Sequence, residues 1–294
     1  MQLASTQDRE LRLIRALVFG DSGIGKTTSL ATLPEKNTLI VLRERGTLPL
    51  RAKHFQVVVI DEWEDLRHLV AALRKGVPAS DGSITATIMD REFAGIKIVA
   101  VDSLTEIFSL CKRQIIDVDR KALIAQRTAG RSEKQGGPVD TPEGIYDEQM
   151  TQEDWGILAS RMDGFTSSMN HLPVHTIFTS LAMYKDDKRT GETMRMPALQ
   201  GAFANTCNAH FDLVFHMEAT TGEDGKPARV WRTANDGIFR CKDSTGILPE
   251  FVPANWMTVM GKILGGAKAK SEDDKQPKPK ATPKEKEQGN ADPK

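Results

Sequence analysis

With 294 residues, the chain is long enough for one large domain or two small ones, and its 40 Lys and Arg balance its 40 Asp and Glu. This zero net charge leaves any nucleic-acid binding to a local patch, and three cysteines without a C-x-x-C pair exclude an evident zinc site or disulfide framework. Because no stretch approaches the ~20 apolar residues of a membrane span and the first ten residues lack an apolar signal core, we expect a cytoplasmic protein without a membrane partner.

The first predicted strand, residues 14–19, runs into Gly20-Asp-Ser-Gly-Ile-Gly-Lys-Thr27, a complete G-x-x-x-x-G-K-T phosphate-binding loop. Residues 27–33 follow as a predicted short helix that Pro34 ends. Glycines let backbone N–H groups approach phosphate, and the helix N-terminus adds partial positive charge. Lys26 is placed to reach the β- and γ-phosphates, and Thr27 to put its hydroxyl on Mg²⁺. We therefore predict an ATP and Mg²⁺ site formed by Gly20, Asp21, Ser22, Gly23, Ile24, Gly25, Lys26, Thr27 and Thr28.

The second predicted strand, residues 38–42, ends two positions before Glu44. RecA-like ATPases place a glutamate just after this strand, where its carboxylate orients the water that attacks the γ-phosphate. Glu44 is therefore a candidate catalytic residue. The alternative is a solvated loop glutamate between Arg43 and Arg45, and the sequence leaves both open.

A magnesium ligand is predicted at the end of a later strand. Residues 96–101 are apolar and end in Asp102, the position where a P-loop fold needs a carboxylate for the magnesium shell. The alternative is that Asp102 merely starts the next helix, yet Ser103 already caps that helix in a capping box with Glu106. Related ring ATPases usually carry a glutamate directly after this aspartate. Because Ser103 occupies that position in this chain, a catalytic base has to come from elsewhere. We predict that Asp102 itself is a metal ligand and a catalytic residue.

Strands and helices alternate along most of the chain. The apolar runs at 14–19, 38–42, 57–60, 96–101 and 174–179 are typical of strands buried on both faces, and helical patterns cover 62–75, 103–117 and 153–170. Residues 211–241 instead look antiparallel, around a turn at 222–225. This pattern predicts an α/β P-loop NTPase with a RecA-like, mostly parallel central sheet flanked by helices and a C-terminal antiparallel extension.

The remaining segments set the domain boundaries. Residues 121–152 and 184–209 are polar interruptions, the first of them a long loop of a kind that is often functional. The end of the chain is rich in Lys, Pro and Glu and has no aromatic residue, so it cannot bury enough apolar area to order itself. We predict an N-terminal segment at 1–10, one ATPase domain at 11–264 and a disordered tail at 265–294.

Seven short stretches together resemble the phage nucleotide-binding ATPase family, whose members have a minimal RecA-like core and include single-strand annealing and recombination proteins. They are Gly20–Thr28, Glu44–Gly46, Val99–Glu106, Asp154–Gly156, Val174–Ser180, Phe211–Val214 and Arg240–Asp243. The resemblance covers about residues 10–260. The chain departs from the family pattern at Leu42, where an aspartate is usual, and at Leu181, where a histidine is usual.

In RecA-like proteins the loops after the later core strands approach single-stranded DNA, and the polar segments 121–152 and 184–209 occupy those places. Basic side chains there are candidates for phosphate contacts, although the second segment is also what a solvated hairpin looks like. By the same resemblance, two late basic residues are candidates for a subunit interface at which they touch a neighbour's phosphate, the alternative again being a solvated hairpin. The DNA candidates are Lys185, Lys188, Arg189 and Arg195, and the interface candidates are Arg240 and Lys242.

These features predict a phage recombination ATPase that binds single-stranded DNA and anneals it, with ATP hydrolysis stimulated by DNA. It is expected to form a homo-oligomer on DNA in the host cytoplasm, with a single-strand-binding protein or another recombination or replication protein as a further candidate partner. The alternative is a nucleotide-dependent binding module or loader that recruits such a partner with little ATP turnover.

Overall fold

The computed structural model describes residues 12–43, 48–120, 150–186, 191–222 and 225–265. Several predicted features therefore lie outside the described residues. They are the segment 1–10, Glu44, most of the loop 121–152, Lys188, Arg189 and the tail beyond residue 265.

Within these ranges the chain alternates strands and helices. The strands are β1 Arg15–Gly20, β2 Thr38–Leu42, β3 Gln56–Val59, β4 Val77–Pro78, β5 Ile84–Ile88, β6 Arg91–Ile96, β7 Ile98–Asp102, β8 His175–Asp186, β9 Thr193–Pro197, β10 Leu213–Thr221, β11 Pro227–Arg232, β12 Lys242–Asp243 and β13 Phe251–Pro253. The helices are α1 Lys26–Leu30, α2 Trp63–Arg74, α3 Leu104–Arg113, α4 Gln152–Asn170, α5 Gly201–Thr206 and α6 Trp256–Leu264.

One ten-stranded sheet organises the protein, in the order β13-β11-β10-β1-β8-β7-β2-β3, with β9 paired to β8 and β12 to β10. The six strands from β10 to β3 are parallel, whereas β9, β11, β12 and β13 pair antiparallel. The fold is thus the predicted α/β P-loop NTPase, with a RecA-like central sheet and a C-terminal antiparallel extension. This order sets the carboxyl end of β8 between those of β1 and β7.

Side chains point alternately to the two faces of the sheet along each strand, and helices bury both faces. Leu17 and Phe19 of β1 pack with α2, α3, α4 and α5 on one face. Ala16 and Val18 pack with α1 and α6 on the other face. This two-sided burial explains the continuous apolar runs from which the core strands were predicted. No helix in the described part of the chain is long and apolar enough to cross a membrane.

The antiparallel prediction for residues 211–241 needs correction. β10 pairs antiparallel with β11, as predicted, but it also pairs in parallel with β1 and is therefore a core strand. Residues 238–241 form no strand beyond a single bridge between Phe239 and Arg195, and the short β12 follows them. Parallel pairing joins segments that are far apart in the chain, so local periodicity does not reveal it.

Two further regions differ from the predictions. The polar segment 184–209 is not a simple interruption, because β8 continues to Asp186, β9 returns beside it and α5 follows. A separate three-stranded sheet, β4-β5-β6, was not predicted between α2 and β7. Its signal was available: Ile84, Ala86 and Ile88 alternate with less buried residues, the pattern of a half-buried strand.

Candidate nucleotide site

The phosphate-binding loop lies at the carboxyl edge of the parallel strands, between β1 and α1. Gly23 and Gly25 have φ angles of 73° and 111°, a region that side chains rarely adopt. α1 begins at Lys26 with Gly25 as its N-cap, and the first N–H groups of a helix have no partner within it. The loop therefore presents backbone N–H donors suited to phosphate oxygens.

Lys26 is buried against this loop. Its Nζ donates to the carbonyl oxygens of Gly20 at 2.9 Å and Asp21 at 2.8 Å. Burial lowers the pKa of the ammonium group, while the charges of Asp102 and Asp21 oppose that shift. The cation of Lys26 thus lies against the backbone of the phosphate-binding loop, and its contact with the β- and γ-phosphates stays a prediction.

Asp102 joins the loop to two core strands. The Thr27 hydroxyl donates to its Oδ2 at 2.6 Å, and the Thr179 hydroxyl donates to its Oδ1. The strand register explains the meeting, since Thr179 pairs with Val18 of β1 while its neighbour Phe178 pairs with Val101 of β7. Each carboxylate oxygen accepts a hydrogen bond from one hydroxyl group, so the orientation of the Asp102 carboxylate is fixed from both sides.

The middle of β8 also contacts the first turn of α3. The hydroxyls of Ser180 and Thr105 lie 2.9 Å apart, and the N–H of Leu181 donates to Thr105 Oγ1 at 3.0 Å. Ser103 caps α3 by accepting from the N–H of Glu106, as predicted. Because Ser103 caps the helix, Asp102 does not serve as the cap, and its carboxylate contacts Thr27 at the phosphate-binding loop.

These residues fit Mg²⁺ and a nucleotide. Mg²⁺ prefers oxygen ligands, commonly one or two carboxylates completed by substrate phosphates and water, and Thr27 and Asp102 offer a hydroxyl and a carboxylate side by side. Among the described residues no group of three or more His, Cys, Asp or Glu is arranged as a metal site. Phosphate oxygens and water would supply the other ligands of a Mg²⁺ ion held by Thr27 and Asp102. Lys26 and the N–H groups of the loop supply the complementary contacts.

Arg229 was not identified from the sequence, yet it contacts the loop directly. Its Nε donates to the carbonyl oxygen of Ile24 at 2.6 Å. A Cβ added to Gly25 would lie 2.5 Å from Nε and 2.8 Å from Cδ of Arg229. Arg229 lies on β11, two strands away from β1, and no spacing rule links such a residue to a phosphate-binding loop.

Tyr184 connects the loop to the hairpin formed by β8 and β9. Its hydroxyl lies 2.9 Å from both carboxylate oxygens of Asp21, and this hydrogen bond raises the pKa of the phenol. Arg195, opposite Tyr184 in the hairpin, places its guanidinium 5.3 Å from the Tyr184 ring centre and 4.9 Å from that of Phe239. The predicted DNA residue Arg195 is therefore held between two aromatic rings.

Three further predicted DNA and interface residues, all within the described part of the chain, come together elsewhere. Lys185, Arg240 and Lys242 line one cavity on the other face of the hairpin. The sequence had assigned Lys185 to DNA and the other two to a subunit interface, and only the fold shows that they are neighbours.

Comparison with curated proteins gives no significant match. Among solved structures the chain is similar to the RadB recombinase, at 13% sequence identity and a TM-score of 0.34, over 79% of this chain and 96% of that one. A comparison with protein families matches the AAA domain over residues 12–245. This match spans most of the chain, including the phosphate-binding loop and Asp102, and the chain belongs to the AAA domain family.

Proposed function

We propose that the protein binds ATP and Mg²⁺ at its phosphate-binding loop and couples ATP hydrolysis to the binding and annealing of single-stranded DNA in recombination. The observation that carries the proposal is the position of Asp102. Its carboxylate accepts from Thr27 of the loop and from Thr179 of β8, and β8 runs on into the hairpin that carries the DNA candidates Lys185 and Arg195.

Each residue of the site has a definite task. Lys26 and the loop N–H groups bind the phosphates, and Thr27 with Asp102 orients the metal and its water. When bound, Mg²⁺·ATP would supply the β–γ phosphoanhydride bond, which water cleaves to give ADP and inorganic phosphate. Thr179 holds the Asp102 carboxylate, and Glu44 remains the proposed residue for orienting the attacking water.

The DNA role rests on the basic residues of the hairpin region, Lys185, Lys188, Arg189 and Arg195. In this proposal the protein assembles as a homo-oligomer on single-stranded DNA. The interface role predicted for Arg240 and Lys242 competes here with a role in DNA binding, because both line a cavity with Lys185. A phage origin, action in the host cytoplasm and a single-strand-binding or other replication partner belong to the same proposal.

ATP hydrolysis by the purified full chain, with and without single-stranded DNA, tests it. Wild-type turnover should require Mg²⁺ and rise with DNA. Lys26→Ala should lower kcat about 100-fold or more, the size expected for removing a preorganised charge partner of the transferred group. The exposed Lys75→Ala is the control, and matching melting temperatures would show that both variants are folded. Turnover that survives Lys26→Ala would contradict the proposal.

A second candidate function is a nucleotide-dependent binding module with little turnover. It is favoured by Leu42 and Leu181, which stand where the resembled family usually has an aspartate and a histidine. Ser103 favours it as well, because it follows Asp102 and caps α3 instead of offering a carboxylate. Turnover below ~0.01 per second with DNA present, far beneath ordinary catalytic rates, would support the module and redirect the search to a protein partner.

A further inference from the structure

A cavity of about 610 Å³ lies beside the β8–β9 hairpin, outside the nucleotide site. Its walls come from the hairpin, from α5 with the turn after it, and from residues 235–242. We propose that this cavity binds one nucleotide unit of a single-stranded nucleic acid, its phosphate held by Lys185, Arg240 and Lys242. The inference rests on the proposed function and names the DNA-binding site within it.

The charge of the lining is the first argument. Three cationic side chains line the cavity, and its described lining residues include no Asp or Glu. Lys242 donates to the carbonyl oxygen of Phe211 at 2.7 Å, which leaves two further N–H donors on its ammonium group. Arg240 contacts the thioether sulfur of Met194 at 3.1 Å, a weak acceptor that an anionic oxygen would readily replace.

A side-chain hydrogen bond fixes the wall of the cavity beside Arg240. Asn208 lines the cavity and donates through Nδ2 to the carbonyl oxygen of Arg240 at 2.9 Å. Its Oδ1 is buried and has no hydrogen-bond partner among the described residues. Because this oxygen is closed to solvent, it does not face the cavity, and the Asn208 side chain contributes by holding the backbone of Arg240 in the cavity wall.

The shape and the apolar lining complete the match. The cavity volume falls within the range of small-ligand sites, about 300–1,000 Å³, and exceeds what a phosphate group alone needs. Met194 and Met196 supply apolar surface for the face of a base, since methionine adapts to irregular partners. Cations, amides and apolar surface in one cavity are the groups that a phosphate, a base edge and a base face require.

The hairpin separates this cavity from the nucleotide site. Tyr184 and Arg195 form one cross-strand pair, and Lys185 and Met194 form the next, so the two pairs face opposite sides. Tyr184 contacts the phosphate-binding loop through Asp21, while Lys185 and Met194 line the cavity. DNA bound in the cavity therefore lies against the same hairpin that contacts the phosphate-binding loop.

Binding of a fluorescein-labelled oligothymidylate to the full chain tests the assignment. A length of about 20 nucleotides exceeds the usual site sizes. Lys185→Gln and Arg240→Gln should each weaken binding about tenfold, the cost of one charge-assisted contact. Each should also reduce the slope of log Kd against log salt by about 0.7, the value for one lost single-strand phosphate contact.

Matched controls and contrary outcomes are available. Lys75→Gln and Arg51→Gln remove exposed cations outside the cavity and should leave both affinity and salt slope unchanged. Cavity variants that bind DNA like wild type but lose self-association or ATP turnover would overturn the inference and assign these cations to a neighbouring subunit's nucleotide. Wild-type protein that binds no oligonucleotide at any salt concentration would contradict the proposed DNA function as well as the cavity.

Discussion

At the scale of single residues, the chemistry of the proposed site depends on how neighbouring side chains orient the Asp102 carboxylate. It accepts from Thr27 and Thr179, so one hydroxyl belongs to the phosphate-binding loop and the other to β8. A carboxylate fixed in this way is preorganised to hold a metal and its water, and such preorganisation is a major source of rate enhancement.

Thr179→Val should separate the effect of the orientation of the Asp102 carboxylate from the effect of its charge. Valine keeps the shape of threonine but cannot donate to Asp102, so the carboxylate remains while one of its two restraints is lost. We expect kcat to fall about tenfold, in the range reported for removing such an outer-shell partner, with the nucleotide affinity nearly unchanged. Thr166→Val is the matched control, because Thr166 is equally buried but donates to the Met162 carbonyl in α4. Steady-state ATP hydrolysis distinguishes the two, and equal kcat values would show that Thr179 has no orienting role.

Arg229 acts on the loop through peptide geometry. Because the peptide unit is planar and trans, the carbonyl of Ile24 and the N–H of Gly25 point in opposite directions. Holding the carbonyl at 2.6 Å from Arg229 Nε therefore fixes where the Gly25 N–H points. The Arg229 side chain thus stabilises one orientation of the Gly25 N–H group within the phosphate-binding loop.

Arg229→Lys and Arg229→Met test this positioning role. Both lose the planar guanidinium, and only the lysine keeps the charge. If geometry matters, each variant should weaken binding of a fluorescent ATP analogue about tenfold, as for a hydrogen bond worth ~1.4 kcal/mol. Arg67→Lys, on the exposed face of α2, should bind as wild type. Full affinity in Arg229→Lys combined with a loss in Arg229→Met would instead indicate that only the charge acts.

At the scale of elements, the phosphate-binding loop depends on Gly25. Its φ of 111° strains any side chain, and an added Cβ would meet the Arg229 side chain at 2.5 Å. Gly25→Ala should therefore abolish measurable ATP binding in a titration. Gly164→Ala, inside α4 with nothing within 4 Å of an added Cβ, should leave binding unchanged and raise the free energy of unfolding by ~0.5–1 kcal/mol. Tight binding by Gly25→Ala would show that the loop adopts another conformation with nucleotide.

The elements also show what a sequence can and cannot predict. The loop, its flanking strand and Asp102 follow from local patterns, because phosphate chemistry restricts residue types at fixed spacings. The contacts of Asp102 with Thr179 and of Ile24 with Arg229 depend on the sheet order, which brings distant segments side by side. The same is true of the cavity that Lys185, Arg240 and Lys242 line together. The parallel role of β10 was missed for the same reason, since periodicity reports burial but not the partner strand.

At the scale of the whole molecule, the β8–β9 hairpin connects two sites. One face contacts the phosphate-binding loop through Tyr184 and Asp21, and the other lines the proposed nucleic-acid cavity. A ligand at either site that shifts the hairpin changes the affinity of the other site, and this coupling must be reciprocal. The hydrogen bond to Asp21 is made by the Tyr184 hydroxyl, so it can be removed without changing the rest of the hairpin.

Tyr184→Phe should uncouple the two sites. In wild type, a non-hydrolysable ATP analogue with Mg²⁺ should change the Kd for the oligonucleotide severalfold, within the ~5–150-fold range of typical coupling. In Tyr184→Phe that ratio should fall towards one, because the ring remains beside Arg195 while the bond to Asp21 is lost. Thr193→Val is the control, since it removes a hydroxyl bonded to Asp186 in the same hairpin but away from the loop. The reverse titration, of nucleotide with and without DNA, must give the same ratio in each protein. An unchanged ratio in Tyr184→Phe would mean that coupling runs through another contact, with Thr179 and Asp102 then the next residues to substitute.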